Sequence, residues 1–253
     1  MLPLLGGLNV ASIAQPIGRA PDDAELRERR LLRNMAVLTL SIVVAGFGGW
    51  FLAGFSSFHS PWWVQIHAIS FVSWVALFTA QNFLVVRNRL ELHRTFGRLG
   101  AFLAAWMILV GLVLTPVTIA VHRNPPVLPA AEFLAMDCAN ILIFGVLTFV
   151  AIAAARRGRT DWHRRLILCA MVCVINPAVG RLEALAGVKG ARYDVPVLVA
   201  VLVIAMVGDS RIRGRVHQAY YWGFTALCVF ELAVIFLPGF QPLAHYATRL
   251  AAR

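Results

Sequence analysis

Charge is what this sequence has least of. Only 14% of its 253 residues are charged, and 60% are hydrophobic; soluble domains carry about a quarter charged residues and about half apolar ones. Lysine is nearly missing, with Lys189 the single example. No lysine lies in the last apolar segment to hold retinal, which disfavours a retinal protein. Cysteine is sparse: Cys138, Cys169, Cys173 and Cys228 all fall inside apolar segments, so neither a disulfide framework nor a zinc ribbon fits. No ~10-residue stretches alternate apolar with polar, which excludes a membrane β-barrel. His-Glu-x-x-His, Walker A, the Gly-rich dinucleotide fingerprint, the nucleophile elbow and the histidine boxes of membrane desaturases are absent. The start, Met1-Leu-Pro-Leu-Leu-Gly-Gly, has no basic region ahead of its apolar residues, so a cleaved signal peptide is not expected.

Long apolar runs are what the sequence does have. They recur at about 20 residues, the length an α-helix needs to cross roughly 30 Å of hydrocarbon. Their spacing predicts an all-α, polytopic membrane helical bundle of seven transmembrane helices. The expected spans cover residues 35–55, 62–86, 97–121, 131–155, 164–186, 195–209 and 217–237. A cytoplasmic arm, 1–34, with a short amphipathic helix precedes the domain 35–237, and a short outer tail, 238–253, follows it. Ala45, Gly49 and Ala53 form a small-residue ridge on the first span, suited to close helix packing.

The net charge of +11 sits in alternate loops, which points away from nucleic acid and towards the positive-inside rule. Seventeen basic residues fall on one side of the seven spans and six on the other. The N-terminus is therefore expected inside and the C-terminus outside, in a bacterial inner membrane.

Three histidines repeat one pattern. His93, His163 and His217 each sit beside arginine just before a span leaving the arginine-rich face. Interfacial preference for headgroups explains this without further function. A shared site for haem b or a divalent metal explains it with one. At the other end, four ionisable groups share one depth of roughly 7–9 Å, counted at 1.5 Å per residue: His67, Asp137, Arg181 and Glu231. His67, Asp137 and Glu231 are candidate metal ligands, and Arg181 a candidate anion holder, with Asn140, Asn176 and Gln81 as further contacts to a small molecule. The alternative is a packing network in which Arg181 pairs with Asp137 or Glu231. Within the fifth span, Asn176-Pro177 predicts a break, because proline lacks the N–H that would bond Cys173.

Asp161-Trp-His-Arg-Arg-Leu-Ile-Leu, Arg213-Gly-Arg-Val-His-Gln-Ala-Tyr-Tyr-Trp-Gly, Gln81, Leu92-His93-Arg94 and Gly97-Arg98-Leu99-Gly100 carry a resemblance. In them the chain resembles a family of bacterial multi-pass membrane proteins without an assigned activity. The His163-Arg-Arg-Leu opening also looks like that of small membrane proteins linked to cytochrome oxidase assembly, with Ile167 in place of their methionine. A likeness to b-type cytochromes would need histidine pairs at both faces. These resemblances imply a haem- or metal-binding redox or redox-assembly role. A carrier or binder of a small anionic or lipid-like molecule is the alternative expectation, and an accessory subunit without chemistry the third.

Overall fold

The computed structural model describes residues 22–125, 128–188 and 194–253. Most of the expected arm, Arg19 included, and Lys189 and Arg192 lie outside the described residues. All secondary structure among the described residues is helical. Its helices are α1 (Asp23–Leu52), α2 (Trp62–Val86), α3 (Leu90–Ala120), α4 (Ala130–Arg156), α5 (Thr160–Val174), α6 (Asn176–Leu185), α7 (Asp194–Arg213), α8 (Ala219–Phe236) and α9 (Gln241–Ala251). With α5 and α6 taken as one bent span, seven units are long and apolar enough to cross a membrane.

The helix starts lie earlier than hydropathy suggests. α1 begins where the Asp22 carboxylate accepts the Glu25 N–H at 2.7 Å, with Asp23 and Glu25 at the positive end of the helix dipole. It runs 30 residues without a break, so Arg27–Arg33, expected as a separate surface helix, are its first turns. At 1.5 Å per residue it is about 45 Å long, and roughly 15 Å of it projects beyond the hydrocarbon. α3 likewise starts at Leu90 and α5 at Thr160, which puts His93 and His163 inside the first turns of their helices. The tail also gains structure: α9 packs Ala247 and Leu250 against Ile119 of α3 and Leu134 of α4.

Burial singles out one span. In the most apolar window of α5–α6, 72% of residues are buried, against 22–33% in the other six spans. Those six form a closed ring of neighbours, α1–α2–α3–α4–α8–α7–α1, and α5 with α6 packs inside it on α1, α4, α7 and α8. Residues such as Val44, Ile69, Phe102, Leu142 and Ile204 lie exposed on the outside of the ring, an apolar exterior that matches lipid. The central span bends at Ile175, the single residue between α5 and α6. Pro177 cannot donate to the Cys173 carbonyl, and the helix restarts from Asn176 with proline in its first turn.

The crossing of α1 and α6 just past this bend depends on glycine. A Cβ on Gly46 would run into the Ala178 carbonyl oxygen, and one on Gly49 would meet Leu185 at 2.9 Å. The contact is thus one residue off the expected ridge: Gly49 belongs to it, but Ala45 and Ala53 are exposed. The buried stripe Met35, Thr39, Val43, Gly46 decides the register. Gly46→Ala forces two backbones apart and is expected to lower stability by about 1–3 kcal/mol. Gly48→Ala, which meets nothing within 4 Å, is expected to change little. Thermal unfolding of both variants in detergent checks the pair.

Candidate ligand sites at the two ends of the central span

At the arginine-rich end the centre is Glu28 of α1, fully buried. Its carboxylate meets the Arg165 guanidinium at 2.7 Å, Arg164 at 3.1 Å, and Arg213 of α7, which donates through Nε at 2.8 Å and through a second nitrogen. Arg165 also grips Asp209 of α7 bidentately, at 2.8 and 2.7 Å, and donates to the Asp161 carbonyl at 2.8 Å. Three arginines and two carboxylates therefore tie α1, α5 and α7 together. Buried charge of this kind persists only where it is paired and hydrogen-bonded.

The three histidines separate into a pair and a single. The rings of His93 and His163 stand 6.3 Å apart, centroid to centroid, with planes at 73°. His163 Nδ1 lies 3.0 Å from the Ala151 carbonyl of α4. Gln81 of α2 donates its Nε2 to the His93 carbonyl at 3.1 Å. His217 stands instead against Trp162, at 5.4 Å between ring centroids. Its Nε2 contacts Asp161 Oδ2 at 3.0 Å, and its Nδ1 accepts the Ala219 N–H at 3.1 Å, which ties off the start of α8. Both His217 nitrogens are thereby engaged with protein.

At the far end, Arg181 of α6 lies over the Phe47 ring at 4.2 Å and within 5.9 Å of Trp50, both on α1. The Gly46–Ala178 crossing one turn earlier brings these groups together. Arg181 donates one N–H to its own Pro177 carbonyl at 2.8 Å, while its Nε–H is buried without a hydrogen bond. The expected ion pair with Asp137 or Glu231 is not formed; among the described residues Arg181 has no carboxylate partner. Asp137 is instead hydrogen-bonded to the Thr115 hydroxyl of α3. His67 keeps an exposed edge and sits where the fields of Asp137 and Arg181 both reach it. Glu231 stands apart, exposed on α8. Asn140 and Asn176 line one narrow crevice with Cys173 and Phe230, and Asn176 lies beside Asp194 of α7. A polar cup of about 250 Å³ opens at the same end, lined by Phe55, Ser56, Ser57, His59, Ser60 and Arg123. Phe55 stacks on Trp50 at 4.5 Å, so the cup borders the Arg181 site.

The proposed metal set His67, Asp137 and Glu231 is therefore not assembled, and among the described residues no three His, Cys, Asp or Glu side chains are grouped to hold a metal ion. Sequence reasoning missed Glu28 and Asp209. The available signal was that each is an acid beside arginines at the arginine-rich end, which reads as topology rather than pairing. No family model matches the chain, and no curated protein or solved structure matches it; the site is read from its own geometry.

Removing the Glu28 charge leaves three guanidinium groups around a neutral amide. Glu28→Gln is expected to destabilise the protein by about 3–5 kcal/mol, whereas Glu25→Gln, at an i,i+4 pair near the surface, is expected to change stability by no more than about 0.5 kcal/mol; chemical denaturation in detergent measures both. His217 gives a pH dependence. Burial lowers it from its ordinary 6.5, and Asp161 opposes that only in part. The folded protein thus favours the neutral ring, so this contribution is present above pH 6.5 and is lost as pH falls through the lower folded value. The loss of melting temperature between neutral and mildly acidic pH is expected to shrink in His217→Gln.

Proposed function

We propose that the protein is a bacterial inner-membrane binder, of the carrier type, for a small anionic molecule held by Arg181, with its N-terminus in the cytoplasm and the Arg181 end towards the outside. The observation that carries this reading is the lone guanidinium. A buried N–H left without an acceptor costs about 1–3 kcal/mol, and a carboxylate or phosphate oxygen removes that cost while neutralising the charge. Phe47 and Trp50 lie against the guanidinium, and its Nε–H is the donor left for an oxygen of the anion. The surrounding aromatics favour an anion with an apolar tail. The cup bearing Arg123 and three serines supplies a polar approach, with His67 beside the path. Asn140 and Asn176 fit as contacts deeper along the central span.

A haem- or metal-dependent redox role is the second reading. It draws on the close pair His93 and His163, since His217 is engaged elsewhere. Gln81, beside that pair, belongs with this reading rather than with the anion.

Decanoate and inorganic phosphate are suitable probes. Decanoate is expected to raise the melting temperature of the detergent-purified protein, and the rise is expected to vanish in Arg181→Ala and persist in weakened form in Arg181→Lys. A protein that folds normally and responds to neither probe defeats the proposal. Alkaline phosphatase fused after Arg253 is expected to be active, and the orientation fails if only a cytoplasmic reporter works there.

A further inference from the structure

The first turns of α3 and α5 bring two imidazoles together with an unusual hydrogen-bond balance. A carbonyl oxygen carries no proton, so the contact between His163 Nδ1 and the Ala151 carbonyl at 3.0 Å places the ring proton on Nδ1. Nε2 of His163 is left as a bare lone pair. A ring oriented by a backbone carbonyl through its second nitrogen is how metal-binding histidines are held. On the neighbouring ring, His93 Nδ1 is buried without a hydrogen-bond partner, and so is Gln81 Oε1. Gln81 is anchored to the His93 carbonyl through Nε2, so its orphaned oxygen stays beside the histidine. Three buried or pre-oriented lone-pair atoms on three helices thus lack a common partner.

The spacing defines what fits between the rings. Two imidazoles bound in line to one ion, with metal–nitrogen bonds of about 2.0 Å and ring centres roughly 1.1 Å further out, stand about 6.2 Å apart. The observed separation is 6.3 Å. Linear coordination leaves the twist between the planes free, so the 73° angle is no obstacle. We infer that His93 and His163 bind one monovalent copper ion in linear two-nitrogen coordination, with the Gln81 amide oxygen alongside. Zinc prefers four ligands, with thiolate or carboxylate common among them, and no third His, Cys, Asp or Glu is grouped here among the described residues. The charges of Arg94 and Arg164 reach the rings; Coulomb repulsion from them is twice as large for a dication as for a monocation. The site lies at the end opposite Arg181, so it is independent of the anion reading.

Anaerobic titration of the purified full-length protein with copper(I), against a chromophoric copper(I) chelator, tests this. One equivalent per chain is expected to be withdrawn from the chelator. His93→Gln and His163→Gln are each expected to weaken binding at least tenfold, and His217→Gln and Arg181→Ala to leave it unchanged. X-ray absorption of the loaded protein is expected to show two short copper–nitrogen bonds. Failure to withdraw copper, or full retention by a folded His93→Gln/His163→Gln double variant, overturns the inference. Zinc bound as tightly as copper(I) overturns the monovalent assignment. A Soret band formed on adding haemin, abolished by the same two substitutions, assigns the pair to haem instead.

Discussion

The buried carboxylate of Glu28 is the interaction on which the rest of the bundle depends. Packing alone distinguishes helices poorly in a membrane, because lipid tails are as apolar as the side chains they replace. Glu28 changes that by needing cations from two other helices. Arg164 and Arg165 of α5 and Arg213 of α7 supply them, and Asp209 fixes the guanidinium plane of Arg165. Any other arrangement of these three helices leaves charge desolvated and unmatched. The network thus specifies which helix occupies the centre, and the apolar contacts fill in around that choice.

With α5–α6 fixed as the central span, its two ends acquire different chemistry. At the arginine-rich end guanidinium and carboxylate groups are paired with one another, and the His93, His163 and Gln81 group stands beside them. At the far end Arg181 is held by aromatic faces rather than by acids. The bend at Ile175 separates the two regimes: above it the helix packs on α1 through glycine, and below it on α4 and α8. One span carries both because it alone is shielded from lipid along most of its length.

The number of spans was legible in the sequence because hydropathy reports directly on length and apolarity. The break before Pro177 was legible because a missing N–H is a local property. The depth match of His67, Asp137 and Arg181 was partly legible from helical rise, and the charges of the other two do act on His67. Glu231 has the same depth but faces elsewhere, since depth along an axis says nothing about which neighbours the helix meets. The three similar histidine contexts likewise hid a difference: His163 finds a carbonyl on α4, whereas His217 finds Asp161 and its own helix start. The role of Glu28 could not be read from its neighbours in sequence, because its partners lie far along the chain.

That distance has a bearing on how the protein is made. Glu28 and Arg213 are 185 residues apart, and at ribosomal rates of about 5–20 residues per second the second follows the first by roughly 10–40 s. For most of that interval, until Arg164 and Arg165 are made, the start of α1 carries an acid without its partners, and until Arg213 follows its set of partners is incomplete, on a stretch long enough to remain in water outside the bilayer. The overhang of α1 beyond the hydrocarbon is thus a waiting position. The charge stays hydrated until α5 and then α7 arrive to cover it, and the ring of helices closes only once α7 and α8 have been made.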